Sequence, residues 1–297
     1  HSAAAITFAN ETRYMAAMAH LAQSEKTDDI IFGETVARTA FDISQGNGDH
    51  AGSTESGQWL LDNTDLSVPQ RVNVLIQLAK SQIAIGRRIE GRKNAELAVR
   101  LARTINDTES EANATMQWAA RSDFTPDRAP VITAFGSIDT TKLLPDTRIR
   151  LLSAYSQAVL MVPTEEHVSV TSGSELISSF GTDIAERSRS DSTESAAWNW
   201  NVNAALARQL ATDARDEAAM HANLEISYEA RVQALLAWRE AHRSPAYLSE
   251  RLATTQQAIE LSRSQGDHNE SVYFCHILDL MESGDFARAD LEIQHFY

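Results

Sequence analysis

Cysteine is almost missing from these 297 residues, with Cys275 the single copy. No disulfide framework can form within the chain, and a lone thiol predicts a reducing, cytoplasmic setting. Glycine and proline are scarce as well, at 12 and six copies, so few positions are reserved for breaking helices. Cationic side chains number 26 against 41 acidic ones, which leaves a formal charge of −15. Phosphate binding needs a concentrated cationic face, so direct nucleic-acid binding is not expected. Long apolar runs are lacking too. None approaches the roughly 18 residues of a membrane span, and no charged-then-apolar leader opens the chain, which predicts no membrane partner. Strand signals are weak: Val168-Ser169-Val170 is brief and bordered by Ser and Thr. The opening His1-Ser2, in place of Met, predicts a region excised from a larger protein.

What remains is helix-forming. Hydrophobic residues make up 43% of the chain, enough for a substantial core. Alanine, leucine, glutamate, glutamine and arginine dominate many stretches and lose little on entering a helix, so the fold class expected is all-α. The trimer Thr-Glu-Ser recurs at Thr54, Thr108 and Thr193, with Asn269-Glu270-Ser271 as a near copy. Around it, Thr108-x-x-Glu111, Asp191-x-x-Glu194 and Asp267-x-x-Glu270 fit the capping box, in which two side chains satisfy unpaired first-turn amides. Each box follows an amphipathic stretch and precedes an aromatic: Trp118, Trp198 or Phe274. The trimer is therefore punctuation, and the unit it marks is helix, short Asp-containing turn, capped helix. A looser copy runs from Ala37 through Gly46-Asn47-Gly48-Asp49 to Trp59. Ser244-Pro245 and Thr125-Pro126 place a capping hydroxyl before a first-turn proline, and Ser172-x-x-Glu175 supplies a further box.

The marks keep register over distance. A shift of 160 positions places Arg71-Val72 and Leu75 on Arg231-Val232 and Leu235, and places Ala98, Leu101, Arg103 and Asp107 on Ala258, Leu261, Arg263 and Asp267. A shift of 77 puts Arg71-Val72 and Leu75 on Arg148-Ile149 and Leu152. Both distances divide into units of about 40 residues, within the range of two-helix repeats. The expected architecture is thus a right-handed α-solenoid of roughly seven antiparallel helix pairs, a single helical-repeat domain over 1–297. The Ser/Thr-rich stretch near 163–174 marks a possible junction.

At Gly284-Asp285-Phe286-Ala287-Arg288-Ala289 the chain resembles the tetratricopeptide repeat, and Ala79, Gly91 and Ala98 match the spacing of that consensus's small residues. Ile277 and Phe296 stand where small residues belong, and the spacing exceeds the usual 34 residues, so the repeats are degenerate. Such repeats resemble the helical regions of bacterial signalling ATPases of the maltose-regulator type, of LuxR-type regulators and of cyclase-linked regulators. The resemblance implies a non-catalytic module of a bacterial regulator. It would recognise a protein, peptide or small effector on its concave face and relay the event to an attached domain. The chain carries no phosphate-loop, nucleophile-elbow or zinc-spaced motif, so no catalytic residue, metal or cofactor is expected.

Four constellations carry chemistry against a plainer reading. Asp28-Asp29 resembles an acidic magnesium motif of all-α terpene cyclases, yet Thr27-Asp28-Asp29 equally starts a helix, and Asn106-Asp107-x-x-Ser110 lacks an acid at Ala114. Glu217, His221 and Glu225 share a helical face at metal-ligand spacing, as solvated Glu and His often do. Arg87, Arg88, Arg92 and Lys93 gather at a predicted helix-helix turn, where a solvated corner is the simpler account. Asn199 and Asn203, four apart beside Trp200, could clamp a peptide backbone, because each amide offers donor and acceptor. These three residues are the expected ligand-binding set. The competing class of function is an all-α metal-dependent enzyme, terpene-cyclase-like or di-metal, with an acidic pocket.

Overall fold

The computed structural model describes residues 30–120, 128–160, 192–221, 226–267 and 269–296. They form twelve α-helices, two short 3-10 turns and, among the described residues, no strand. The chain divides into two compact units, His1–Asp123 and Phe124–Tyr297. The first holds α1 (Ile30–Asn47), α2 (His50–Asn63), α3 (Val68–Ala84), α4 (Arg88–Thr104) and α5 (Thr108–Ala119). The second holds α6 (Arg128–Ser137), α7 (Pro145–Leu160), α8 (Ser192–Met220), α9 (Tyr228–Ala241), α10 (Leu248–Ser264), α11 (Glu270–Glu282) and α12 (Phe286–Phe296). No helix among the described residues is long and apolar enough to cross a membrane. The proposed junction near 163–174 lies outside the described residues.

Five of the turns are closed in one way. Gly48, Gly86, Asn106, Gly266 and Gly284 adopt φ of 69°, 86°, 53°, 69° and 82°. In each case the next residue donates its N–H to the carbonyl five positions back: Asp49 to Ser44, Arg87 to Gln82, Asp107 to Ala102, Asp267 to Ser262 and Asp285 to Leu280. This left-handed closure satisfies carbonyls that the helix end leaves unpaired, and glycine or asparagine reaches it with least strain. The aspartate that follows begins the next helix at three of the five. Asp49, Asp107 and Asp285 accept from the N–H groups of Gly52, Ser110 and Arg288 at 3.0, 3.0 and 3.1 Å.

The caps differ in detail from the expected boxes. Asp107, not Thr108, is the N-cap of α5. Asn269, not Asp267, caps α11, and the Asp267 carboxylate accepts instead from the Tyr228 hydroxyl at 2.5 Å. The left-handed turn ends one residue before each aspartate, which leaves Asp107 free to take the non-helical conformation a cap needs. Asp191 lies outside the described residues. Thr54 falls inside α2, one turn after its cap, and its hydroxyl donates to the His50 carbonyl at 2.8 Å. α3 begins with a further box, where the Gln70 side chain accepts from the Ser67 N–H at 3.0 Å.

Packing follows chain order. In the first unit each helix packs on the next, and α3 also reaches α5; in the second, α6 through α12 pack in sequence, with α7 also on α9 and α9 on α11. Val72, Leu75, Ala98, Val99 and Ala102 join Ala114 in one core, and Val232, Leu235, Ala258 and Ile259 join Val272 and Tyr273 in another. Each fully buried Val, Leu or Ile among them contributes about 1.5–3 kcal/mol, and each Ala less. A shift of 160 carries the first residues of α3 and α4 onto those of α9 and α10. Gly91 is buried where α4 meets α3, and a Cβ there would lie 2.9 Å from the Ala79 carbonyl oxygen. That position admits only glycine without a shift of backbone.

Candidate functional site

In the second unit, α9 is the floor of an open cleft of about 520 Å³ between α8 and α10. Small residues make the space: Ala218 and Ala219 on α8, Ala234 on α9 and Ala253 on α10. Polar side chains then enter from all three helices, with Arg215 from α8, Arg231 from α9, and Thr254, Gln257 and Glu260 from α10. Arg215 is held by its surroundings. Its guanidinium lies over the Trp238 ring at 4.5 Å, and Trp238 stacks on His242 at 4.1 Å, which meets Tyr247 edge-on at 4.9 Å. This ladder ties the cleft wall to the turn between α9 and α10. The Thr254 hydroxyl donates to the Glu250 carbonyl at 2.8 Å, and Glu260 accepts from Gln256 at 3.1 Å. Two guanidiniums and the Gln257 amide suit an oxygen-rich anion, with Glu260 available to a cationic group on the same ligand.

Elsewhere in the second unit, α9, α10 and α11 contribute to an ionic cluster. Asp279, fully buried, accepts from Arg239 through Nη2 at 2.7 Å and Nε at 3.2 Å, and lies 3.5 Å from Arg251 Nη1. Arg251 is only 2% exposed and reaches Glu282 at 2.7 Å. Burial works against the Arg239 charge, yet the hydrogen bonds and charge of Asp279 outweigh it and hold the guanidinium above its ordinary range. Next to it, burial pushes the Cys275 thiol up, so the sulfur is protonated rather than poised for attack. The Thr255 hydroxyl donates to the Arg251 carbonyl at 3.0 Å and therefore accepts from His276 Nδ1 at 2.8 Å. That assigns the ring proton to Nδ1, and burial keeps this imidazole neutral by lowering its pKa.

The residues picked out from sequence fall elsewhere. Asn199, Trp200 and Asn203 lie on the N-terminal part of α8, and their side chains are outside the described residues, as are Asp28, Asp29 and Glu225. The Glu217 carboxylate is engaged by Arg148, with His221 Nε2 at 3.1 Å. Asp107 is consumed as a cap. Arg87 pairs with Glu90 at the α3–α4 turn, as a solvated corner would. Sequence reasoning missed Arg215, Arg231 and Gln257. The signal available was the run of small residues on three successive helices, which opens space only once their order in the fold is known. Comparison with protein-family models and with curated proteins finds no match to this chain.

Proposed function

We propose that this chain is a non-catalytic binding and relay module, a solenoid of antiparallel helix pairs belonging to a bacterial cytoplasmic regulator. The observation that carries the reading is the order of packing: substantial contacts join helices one or two apart in sequence, within each unit. Buried area gathered in this way leaves open grooves along its length, and such surfaces serve recognition. The matching starts of α3 with α9 and of α4 with α10 support a repeated hairpin. The Gly284-Asp285-Phe286 turn supports the tetratricopeptide-like character of that hairpin.

The recognition site favoured by this geometry is the cleft between α8 and α10, and its ligand is a protein segment, peptide or small effector bearing carboxylate or phosphate oxygens. The test is thermal denaturation with a panel of short dicarboxylates, inorganic phosphate, sugar phosphates and acidic peptides. At least one class should raise the melting temperature of the native protein. That rise should vanish in Arg231→Gln and in Ala253→Trp, the latter filling the cleft from an exposed position. A stabilising ligand that binds both variants as well as the native protein would remove the cleft from consideration. Stabilisation by magnesium or zinc alone would turn the case towards a metal-dependent enzyme.

A further inference from the structure

The middle helix α9 is buried on two opposite faces. Ala230 and Ala234 pack back towards α7 and α8, with Ile149 and Ala214, while Val232 and Leu235, with Leu236 beside them, pack forward on Ala258, Ile259, Val272 and Tyr273 of α10 and α11. The same forward pair recurs three residues apart on α3, as Val72 and Leu75. α11 begins 42 positions after α9. That shift places Val272 and His276, both buried, on Ala230 and Ala234, so the backward face of α11 is complete. It also places Phe274, Ile277 and Leu278 on Val232, Leu235 and Leu236. Here Ile277 is half-buried but the rest of the forward face is open: Phe274 is 62% exposed, Leu278 39% and Met281 46%. Phe286, at the start of α12, adds a second aromatic at 63% exposure.

Carboxylates bracket this stripe. Glu270, Phe274, Leu278 and Glu282 stand four apart, so they run down one side of α11 with an acid at each end, Glu270 exposed and Glu282 paired with Arg251. Asp290 on α12 is exposed as well, against the one exposed cation Arg288 among the described residues of α11 and α12. A second copy of the chain would oppose acid to acid, and its charge of −15 would add to the repulsion. We propose that the exposed face of α11 and α12 is a docking surface for an amphipathic helix of another protein, one whose apolar stripe is flanked by Lys or Arg. The apolar positions say helix, because the equivalent forward faces of α3 and α9 are covered by helices. The carboxylates set the charge of the partner. The proposal shares the stacking logic of the functional reading above but does not involve the cleft.

The test uses the whole chain and a synthetic 18-residue helical peptide, with leucine at helical spacing on one face and lysine on its flanks. Binding is followed by calorimetry at two salt concentrations and by hydrogen exchange. The peptide should bind, protect amides of 270–293, weaken as salt rises, and lose tenfold or more in affinity to Phe274→Ser with Leu278→Ser. Ile89→Ser, at an exposed apolar position on α4, should bind as the native protein does, and so should Arg231→Gln in the cleft. No binding, equal binding to the double variant, or protection elsewhere overturns the proposal. Concentration-dependent dimerisation abolished by Phe274→Ser would also overturn it, in favour of a second copy. Unchanged helical circular dichroism of the variants separates lost docking from lost fold.

Discussion

Asp279 faces two arginines from two other helices in the absence of solvent, and the structure depends on its charge more than on its size. Asp279→Asn keeps the shape and removes the charge, leaving Arg239 and Arg251 short of a counter-ion. Breaking a buried pair from one side costs about 3–5 kcal/mol. Urea unfolding should show a loss of that order, and a loss under about 1 kcal/mol would mean that water reaches the cluster. Two buried histidines among the described residues set a pH dependence. His276 and His242 are both held below the ordinary histidine range by burial, so the unfolded chain takes up protons that the native protein refuses. Stability is therefore full above the ordinary histidine pKa and declines as pH falls through it. The urea midpoint should drop between about pH 7.5 and pH 5.5, and His276→Gln should flatten that drop; an unaltered slope in the variant would place the effect elsewhere. None of this cluster was legible beforehand. Arg251, Asp279 and His276 sit on the buried stripes of their helices, but charged residues on such stripes read as solvated until a partner helix is seen to supply the counter-charge.

Helix starts were the most readable feature, and they were misread by one or two residues. The recurring Thr-Glu-Ser marks the first turn of α5 and α8, yet the side chain that accepts the orphan amide of α5 is the aspartate before it. Asp107→Ala should therefore cost about 0.5–2 kcal/mol, whereas Thr108→Ala should change stability by much less. Comparable losses from the two substitutions, measured by thermal or urea unfolding, would restore the threonine as the cap. Sequence pattern reached the turn because a glycine or asparagine followed by an aspartate recurs, at four of the five left-handed turns. It failed on the exact cap because Asp, Thr and Asn all suit that role, and only backbone geometry chooses among them. Gly57 was silent for a related reason: its absent Cβ would sit 2.7 Å from the Phe41 ring, a contact made by a different helix.

Taken as a molecule, each unit is held by contacts between helices adjacent or next but one along the chain. Local contacts need little loop closure before they stabilise, so the main refolding phase is expected on a timescale of milliseconds or faster. Stopped-flow dilution from urea would measure it, and a dominant phase lasting seconds would argue for long-range closure instead. The all-α class was legible from composition and spacing, because few glycines and prolines leave little other choice. The cleft was not, since it arises where small residues on three helices happen to align.

Gly48, Gly86 and Gly284 each follow an odd-numbered helix and close by one shared backward bond into the next. A chain jointed in this fashion can be cut at one such corner and rejoined at another with no new hinge to invent. Lengthening or shortening by whole hairpins is then a matter of gene duplication or deletion, and the junctions survive the surgery unchanged.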